Sequence, residues 1–263
     1  MKITLLGTGT STGVPQIGCR CQVCTSDDPR DRRLRCSALV EVADPTASDG
    51  FRRILFDCGP DFREQMLSID FKPLDAIFIT HEHYDHVGGL DDLRPFSIFG
   101  NVVVYAEPFC ADHLRERIPY CFTPKERRYP GVPSIDLEDI EPHQPVKVGN
   151  VEVLPLRVMH GKLPILAFRI GRFAYVTDMK TISPEDAQLL QGLDCLVLNG
   201  LRHEIHPSHQ TIEEAVEFSR SIGTPETYLI HMSHHIRRHA IEDAALPPHF
   251  HLAYDGMILN TEL

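Results

Sequence analysis

His81-Glu82-His83-Tyr84-Asp85-His86 stands one residue beyond the apolar run Ala76-Ile77-Phe78-Ile79, and this pairing decides how the rest of the chain is read. The apolar run predicts a buried strand. His81 and His83, two residues apart at its end, project to the same side and can grip one ion. Asp85 and His86 fall where the chain must leave the sheet, and Gly88-Gly89 frees it to turn. They can therefore reach a second ion close by. Imidazole together with carboxylate suits zinc, iron or manganese rather than an all-oxygen calcium site. The fixed offsets behind a strand set this run apart in a chain that carries 15 histidines. Hydrolysis at a two-metal centre is the chemistry this implies.

A binuclear site needs more donors, and strand ends are where they should lie. Working outward, strands are predicted at Lys2–Leu6, Ser37–Val42, Arg53–Asp57, Ala76–Ile79 and Val102–Ala106, with helices at Asp61–Ser68 and Pro108–Arg117. A second strand group follows at Val151–Leu156, Ala167–Ile170, Phe173–Val176, Cys195–Leu198 and Thr227–Ile230. Helices should start at Ser183-Pro184 and at Thr211, which forms a capping box with Glu214, and another should cover Ile236–Ala245. Asp255-Gly256 is expected to turn a final hairpin. Three of these strands end near a metal-competent side chain: His160, Asp178 and His231. The resulting set is His81, His83 and His160 for one ion, and Asp85, His86 and His231 for the other. Asp178 bridges them, since a carboxylate has two oxygens.

Composition sets bounds. The 26 basic and 37 acidic side chains give −11, which argues against a clamp along a long nucleic acid. Lys125, Arg127 and Arg128, interrupted by Glu126, read as a solvated surface loop. No apolar run approaches the roughly 18 residues of a membrane span. The opening Met1-Lys2-Ile3-Thr4-Leu5-Leu6 reads as a β-strand rather than a signal peptide, so a cytoplasmic protein is expected. At 263 residues and 42% hydrophobic content, with no linker, one domain over 1–263 is expected. Three of the eight cysteines crowd into Cys19-Arg20-Cys21-Gln22-Val23-Cys24, a spacing that suggests metal rather than a disulfide ladder. Cys36, Cys58, Cys110, Cys121 and Cys195 read as buried small hydrophobes. His235 and His239 read as solvated helix residues, and His113, His143, His249 and His251 as surface or loop positions.

The HEHYDH run with His160, Asp178 and His231, after the early Asp57-Cys58-Gly59 strand end, resembles the metallo-β-lactamase-fold hydrolases along nearly the whole chain. That resemblance implies an α/β fold, the αββα four-layer sandwich, with its metals at the sheet edge. The opening Gly7-Thr8-Gly9-Thr10, the cysteine run, His231-Met232-Ser233-His234 and Tyr254-Asp255-Gly256-Met257 are similar to the PhnP subgroup of cyclic-phosphate phosphodiesterases. In PhnP-like proteins the clustered cysteines and the later histidine hold a structural zinc, here Cys19, Cys21, Cys24 and His234. A Cys₃His set is a closed tetrahedral shell. His209, in His206-Pro207-Ser208-His209-Gln210-Thr211, falls where PhnP and tRNase Z relatives place a non-ligand histidine near the substrate phosphate. His203 and His206 compete for that place.

The function expected is a metal-dependent phosphodiesterase acting on a small phosphodiester, cyclic or linear. Water between two divalent ions has its pKa lowered from 15.7 towards roughly 7, which gives metal-bound hydroxide at neutral pH. Asp85 orients that nucleophile besides binding metal, and His209 protonates the leaving oxygen or stabilises its charge. The cofactors implied are two divalent ions (Zn²⁺, Mn²⁺ or Fe²⁺) and one structural Zn²⁺. The partner expected is the small-molecule phosphodiester substrate, with no long nucleic acid and no membrane; a homodimer is left open. Three rivals share parts of this pattern. A tRNase Z-like RNA 3′ endonuclease needs a basic arm that the segment between His86 and His160 does not show. A glyoxalase-type thioesterase would use the same metals without His209 or the cysteine site. A PqqB-like cofactor-biosynthesis partner shares the clustered-cysteine opening but has no need of a complete catalytic set.

Overall fold

The computed structural model describes residues 1–123, 125–127 and 129–263. Arg128 and the side chain of Lys125, two cations of the expected surface loop, lie outside the described residues, while Glu126 and Arg127 are exposed. In chain order, β1 (Lys2–Gly7), β2 (Ser37–Ala43), β3 (Phe51–Phe56), β4 (Ala76–Phe78), β5 (Val102–Ala106) and β6 (Ile135–Asp139) form the first sheet. The second sheet takes β7 (Val146–Val148), β8 (Val151–His160), β9 (Leu163–Ile170), β10 (Phe173–Val176), β11 (Thr181–Ile182), β12 (Cys195–Asn199), β13 (Glu226–Ile230) and β14 (Phe250–Leu252). Last, β15 (Met257–Asn260) returns to the first sheet beside β1. The helices are α1 (Phe62–Leu67), α2 (Tyr84–Val87), α3 (Pro108–Arg117), α4 (Pro184–Gln188), α5 (Ile212–Ile222) and α6 (His239–Asp243).

Alternation along the strands builds four layers. On β2, β3 and β4, Ala38, Val40, Ile54, Phe56 and Phe78 face the second sheet, whereas Leu39, Leu55 and Ile77 face outward. Phe173, Tyr175 and Val197 face inward from β10 and β12, and Ala174, Val176 and Leu196 outward. Phe56 anchors the inner layer, stacked on Phe168 at 5.2 Å and on Tyr175 at 5.3 Å between ring centres. The outer face of the first sheet is covered by Phe62, Cys110, Ala111 and Leu114 of α1 and α3, with Leu90, Leu93 and Phe96 of a 3₁₀ helix. Ile212, Ala215 and Ile222 of α5 cover the second. Both sheets are thus buried on both faces, which is why their strands read as nearly continuous apolar runs. The fold is α/β, a metallo-β-lactamase sandwich of the αββα kind.

Three expectations are corrected. Asp255-Gly256 is not a hairpin turn, because β14 pairs with β13 in one sheet and β15 with β1 in the other. The helix placed at Ile236–Ala245 starts only at His239. Its histidines are therefore not a helical pair: His235 is exposed and outside the helix, while His239 is buried. His239 is packed on Arg33, whose guanidinium donates to Nδ1 at 3.1 Å, and its backbone N–H donates to Asp31 at 2.7 Å. Among the described residues, no helix is long and apolar enough to cross a membrane.

Candidate active site and metal centres

Parallel neighbours in each sheet (β3 with β4, β10 with β12 and β13) direct their carboxyl ends to a common edge, the usual ligand edge of such sheets. Asp57 follows β3, the HEHYDH run follows β4, Asp178 follows β10 and His231 follows β13. Three of these strand-end residues, Asp57, Asp178 and His231, adopt left-handed backbone, with φ of 59°, 57° and 59°. Such conformations in non-glycine residues are strained, and they concentrate at functional sites.

The structure brings the sequence-derived donors together in the groups expected. Donor atoms of His81, His83 and His160 lie within 4.8 Å of one another, as do those of Asp85, His86, Asp178 and His231. Asp178 stands between the groups. Its Oδ1 is 3.2 Å from His231 Nε2 and 3.4 Å from His86 Nε2, while its Oδ2 faces His81 Nε2 at 3.9 Å. Oδ2 also lies 3.3 Å from His209 Nε2, and His160, Asp178 and His209 form a further group of metal-competent atoms. The sequence treats His209 only as a non-ligand.

Hydrogen bonds behind the donors decide what they can hold. His86 Nδ1 donates to Asp57 Oδ2 at 2.8 Å, which leaves the Nε2 lone pair directed at the Asp85 and Asp178 carboxylates. His160 Nδ1 likewise donates to the carbonyls of Asp178 and Ser208, at 2.9 and 3.0 Å. His86 Nε2 and both ring nitrogens of His231 are buried without a hydrogen-bond partner among the described residues. Buried imidazole nitrogens and carboxylate oxygens that converge on one spot, without other partners for those nitrogens, are a donor set that suits a cation. The residues present fit divalent metal.

Electrostatics agree. Burial opposes charging of His86, yet the carboxylates of Asp85, Asp178 and Asp57 push its pKa well above the ordinary imidazole value. Burial raises Asp178, but the neighbouring imidazoles of His231 and His86 hold it well below the usual carboxylate range. Burial lowers His81 well below its ordinary value, and lowers His209 to about 4.

Asp57 is the residue sequence reasoning passed over as a site member. It is fully buried and accepts from the Thr80 backbone N–H and hydroxyl, both at 2.9 Å, besides His86. The available signal was its own carboxylate at the end of a strand parallel to the one feeding the ligand run. His203 stands aside, paired with Glu213 at 2.6 Å and Glu242 at 3.0 Å. His143, His249 and His251 pair with the carboxylates of Asp186 and Glu226 away from the site.

The cysteine cluster is equally well formed. Cys19, Cys21, Cys24 and His234 bring their donor atoms within 4.8 Å of one another, with His234 Nδ1 3.3 Å from Cys19 Sγ and 3.5 Å from Cys21 Sγ. Backbone N–H groups of Gln16, Cys21 and Cys24 donate to the sulfurs of Cys24, Cys19 and Cys21. Burial opposes it, but the Cys24 N–H, His234 and Cys19 bring the Cys21 thiol down to about 6. Thiolate at neutral pH is what zinc takes.

A family model described as the beta-lactamase superfamily domain matches residues 52–232. A curated protein of Porphyromonas gingivalis named octanoyltransferase is 48% identical over 258 residues, 98% of this chain but 51% of that protein. The chain thus spans about half the length of that relative. Coenzyme PQQ synthesis protein B of Methylorubrum extorquens is 31% identical over 118 residues, 40% of this chain and 39% of that protein. Among solved structures, a diphosphatase of the PhnP family superposes with a TM-score of 0.88 at 37% identity, covering 98% of this chain and 96% of that one. Zinc-bound PqqB from Methylobacterium extorquens shares the fold at a TM-score of 0.77 and 19% identity, over 99% and 100% of the two chains. With the matched family model spanning more than half of the chain, including the ends of β4, β8, β10 and β13, the chain belongs to the beta-lactamase superfamily.

Proposed function

We propose that this protein is a metal-dependent hydrolase of a small phosphodiester, with cleavage at a phosphorus that bears one negative charge. The observation that carries the reading is the pair of adjoining donor groups meeting at Asp178, with His209 beside them at 3.3 Å. The 37% identical PhnP-family diphosphatase supports attack at phosphorus, since a diphosphate linkage presents the same kind of centre. Two divalent ions, one on His81, His83 and His160 and one on Asp85, His86 and His231 with Asp178 between, supply Lewis acidity and an acidified water when bound. Cys19, Cys21, Cys24 and His234 hold the structural zinc.

The chain's own residues do the rest. Asp57 fixes the His86 ring so that its Nε2 faces the site. Asp85 Oδ2, 3.2 Å from His86 Nε2, is placed to orient the attacking water and take its hydrogen bond. His209 Nε2 is placed to deliver a proton to the leaving oxygen or to steady the charge forming there.

A second reading has one observation behind it. The 48% identical relative named octanoyltransferase makes an acyl thioester a substrate worth testing, although that name belongs to a protein about twice as long. Metal-loaded protein should be assayed side by side on an aryl phosphodiester, a ribose cyclic phosphate, a diphosphate diester and an octanoyl thioester. We expect kcat/KM for one phosphorus substrate to exceed that for the thioester by about 10²-fold or more. The opposite order would overturn the phosphodiester reading in favour of acyl chemistry.

A further inference from the structure

The two donor groups differ in how they meet solvent. Asp85, His86, Asp178 and His231 are all buried, whereas His83 is exposed and His160 half-buried. A substrate therefore reaches the centre from the side of His83. One cation is fixed at that opening. Arg117, the last residue of α3, donates through Nη1 to the carbonyl of Glu82 at 3.0 Å, and Glu82 stands between His81 and His83. That carbonyl belongs to the peptide unit that leads into His83, so the guanidinium lies against the backbone of the exposed donor. The helix that carries it is itself held firmly. Cys110, Ala111 and Leu114 pack α3 on the first sheet, and the Ile118 N–H closes its last turn on Leu114 O at 3.0 Å. Other cations nearby are neutralised. Arg157 pairs with Glu107, Lys180 with Glu214 at 2.8 Å, and Arg115, two residues before Arg117, with Asp112 at 2.9 Å. Arg117 is exposed and forms no ion pair among the described residues. A cation in the last helical turn also suits the helix dipole, but that role calls for no anchor on the ligand run. A guanidinium has five N–H groups in a planar fork that matches phosphate, and the Glu82 carbonyl uses one of them.

We propose that Arg117 is a specificity-determining residue: its guanidinium receives a second phosphoryl group joined to the scissile phosphorus, so that the site favours a diphosphate linkage over a plain phosphodiester. This rests on the reading of the protein as a hydrolase acting at phosphorus. Hydrolysis of a diphosphate linkage breaks one P–O bond of the P–O–P bridge. The water oxygen joins the attacked phosphorus, the other phosphoryl group leaves with the bridging oxygen, and the two hydrogens of water are shared between the products. Charge builds on the departing group, and a guanidinium already beside it binds that group more strongly as the bond breaks. A simple phosphodiester offers Arg117 nothing to hold.

Arg117→Met in zinc-loaded protein tests this, with Arg115→Met as the control that removes the same charge two residues away. Arg117→Met should lower kcat/KM on a diphosphate diester by about 10- to 100-fold, the range of a charge-assisted hydrogen bond, and on an aryl phosphodiester by less than about 3-fold. Metal content and melting temperature should stay as in the wild type, and Arg115→Met should leave both substrates unaffected. Equal losses on the two esters would make Arg117 a fastener of the ligand run and overturn the proposal, as would no loss on either. Calorimetric titration with inorganic pyrophosphate and with inorganic phosphate, metal content being checked afterwards, gives a readout that needs no turnover. Arg117→Met should weaken pyrophosphate by about 10- to 100-fold and phosphate little; equal weakening of the two anions, or none, overturns the proposal. If the wild type cleaves neither phosphorus substrate, the hydrolase reading falls, while the two titrations still decide what Arg117 binds.

Discussion

Asp57 shows how much of a metal centre lies behind its ligands. It touches no proposed ion, yet it holds His86 and the Thr80 turn together through three hydrogen bonds. Asp57→Asn keeps the size and loses the charge that steadies the His86 Nδ1–H. We expect a folded protein whose metal affinity drops about 10- to 100-fold, read by chelator competition; unchanged affinity would remove Asp57 from the centre. His209 and Asp178 should separate cleanly. His209→Ala should keep metal and fold, and slow a phosphodiester with a poor leaving group by roughly 10²- to 10⁴-fold. An activated aryl ester needs no proton and should suffer much less. Asp178→Ala should lose metal and both activities together. Equal loss on both esters in His209→Ala would mean charge stabilisation rather than proton delivery. At this scale the donors were legible because each is a metal-competent type just beyond an apolar run. Asp57 was not, since a lone carboxylate at a strand end more often satisfies backbone. His239 was misread because its offset from His235 mimics a helical face, whereas the backbone between them is not helical.

Elements were readable where local chemistry is decisive. The capping box at Thr211 forms as expected: its hydroxyl accepts from Glu214 N–H at 3.1 Å, and Glu214 Oε2 accepts from Thr211 N–H at 2.8 Å. Because Thr211 caps α5 two residues after His209, this cap also fixes where the His206–His209 turn ends. Thr211→Ala should cost about 1 kcal/mol, seen as a lower melting temperature with metal bound. A loss indistinguishable from zero would mean that Lys180, which pairs with Glu214 at 2.8 Å, holds the helix start alone. Two elements needed tertiary information. β8 runs to His160, past the expected end at Leu156, because its Pro155 falls on a flank where no strand pairs and where its carbonyl accepts from the His143 N–H at 2.8 Å. β7 covers Val151–Val153 and β11 covers Val158–Met159, so the missing N–H at Pro155 costs nothing. Asp255-Gly256 has the composition of a hairpin turn, but no local signal says that the strands on either side join different sheets.

Across the molecule, the layer order was legible from two strand groups with helices after each, and the stacking of the two sheets came only with the resemblance. Cys21→Ser should lower stability far more than turnover per folded molecule, because the cysteine centre ties Gln16–Cys24 to His234, three residues from His231. Retained thermal stability would contradict the zinc assignment. A second tie lies between the chain's distant segments, where buried Arg33 donates to Thr8 Oγ1 at 2.8 Å and to His239 Nδ1 at 3.1 Å. Asp255 accepts from Thr8 at 2.7 Å and from Leu34 N–H at 2.6 Å. Burial, helped by the charges of Arg33 and Arg30, brings His239 down to about 4. Its neutral form is favoured by folding, so its contribution is full above the unfolded value near 6.5 and is lost as pH falls towards about 4. Asp255 is pushed up to about 6 by burial, so its contribution is full below about 4 and is lost as pH rises through about 6. His239→Gln and Asp255→Asn should therefore tilt the curve of stability against pH between about 4 and 6 in opposite senses; tilts of the same sign would refute one assignment.

The left-handed backbone at Asp57, Asp178 and His231 puts strain at the proposed metal centre, where ions bound only by the folded chain would offset it. Each such residue costs on the order of 1 kcal/mol or more, and glycine would relieve it. With chelator present, Asp178→Gly should therefore melt above the wild type, because it sheds both the strain and a buried carboxylate. With saturating zinc the ranking should invert, since mass action adds RT ln(1 + [L]/Kd) only to a chain that binds. Cells starved of metal would then meet this protein at its least stable, and its turnover by proteases would report the supply of ions.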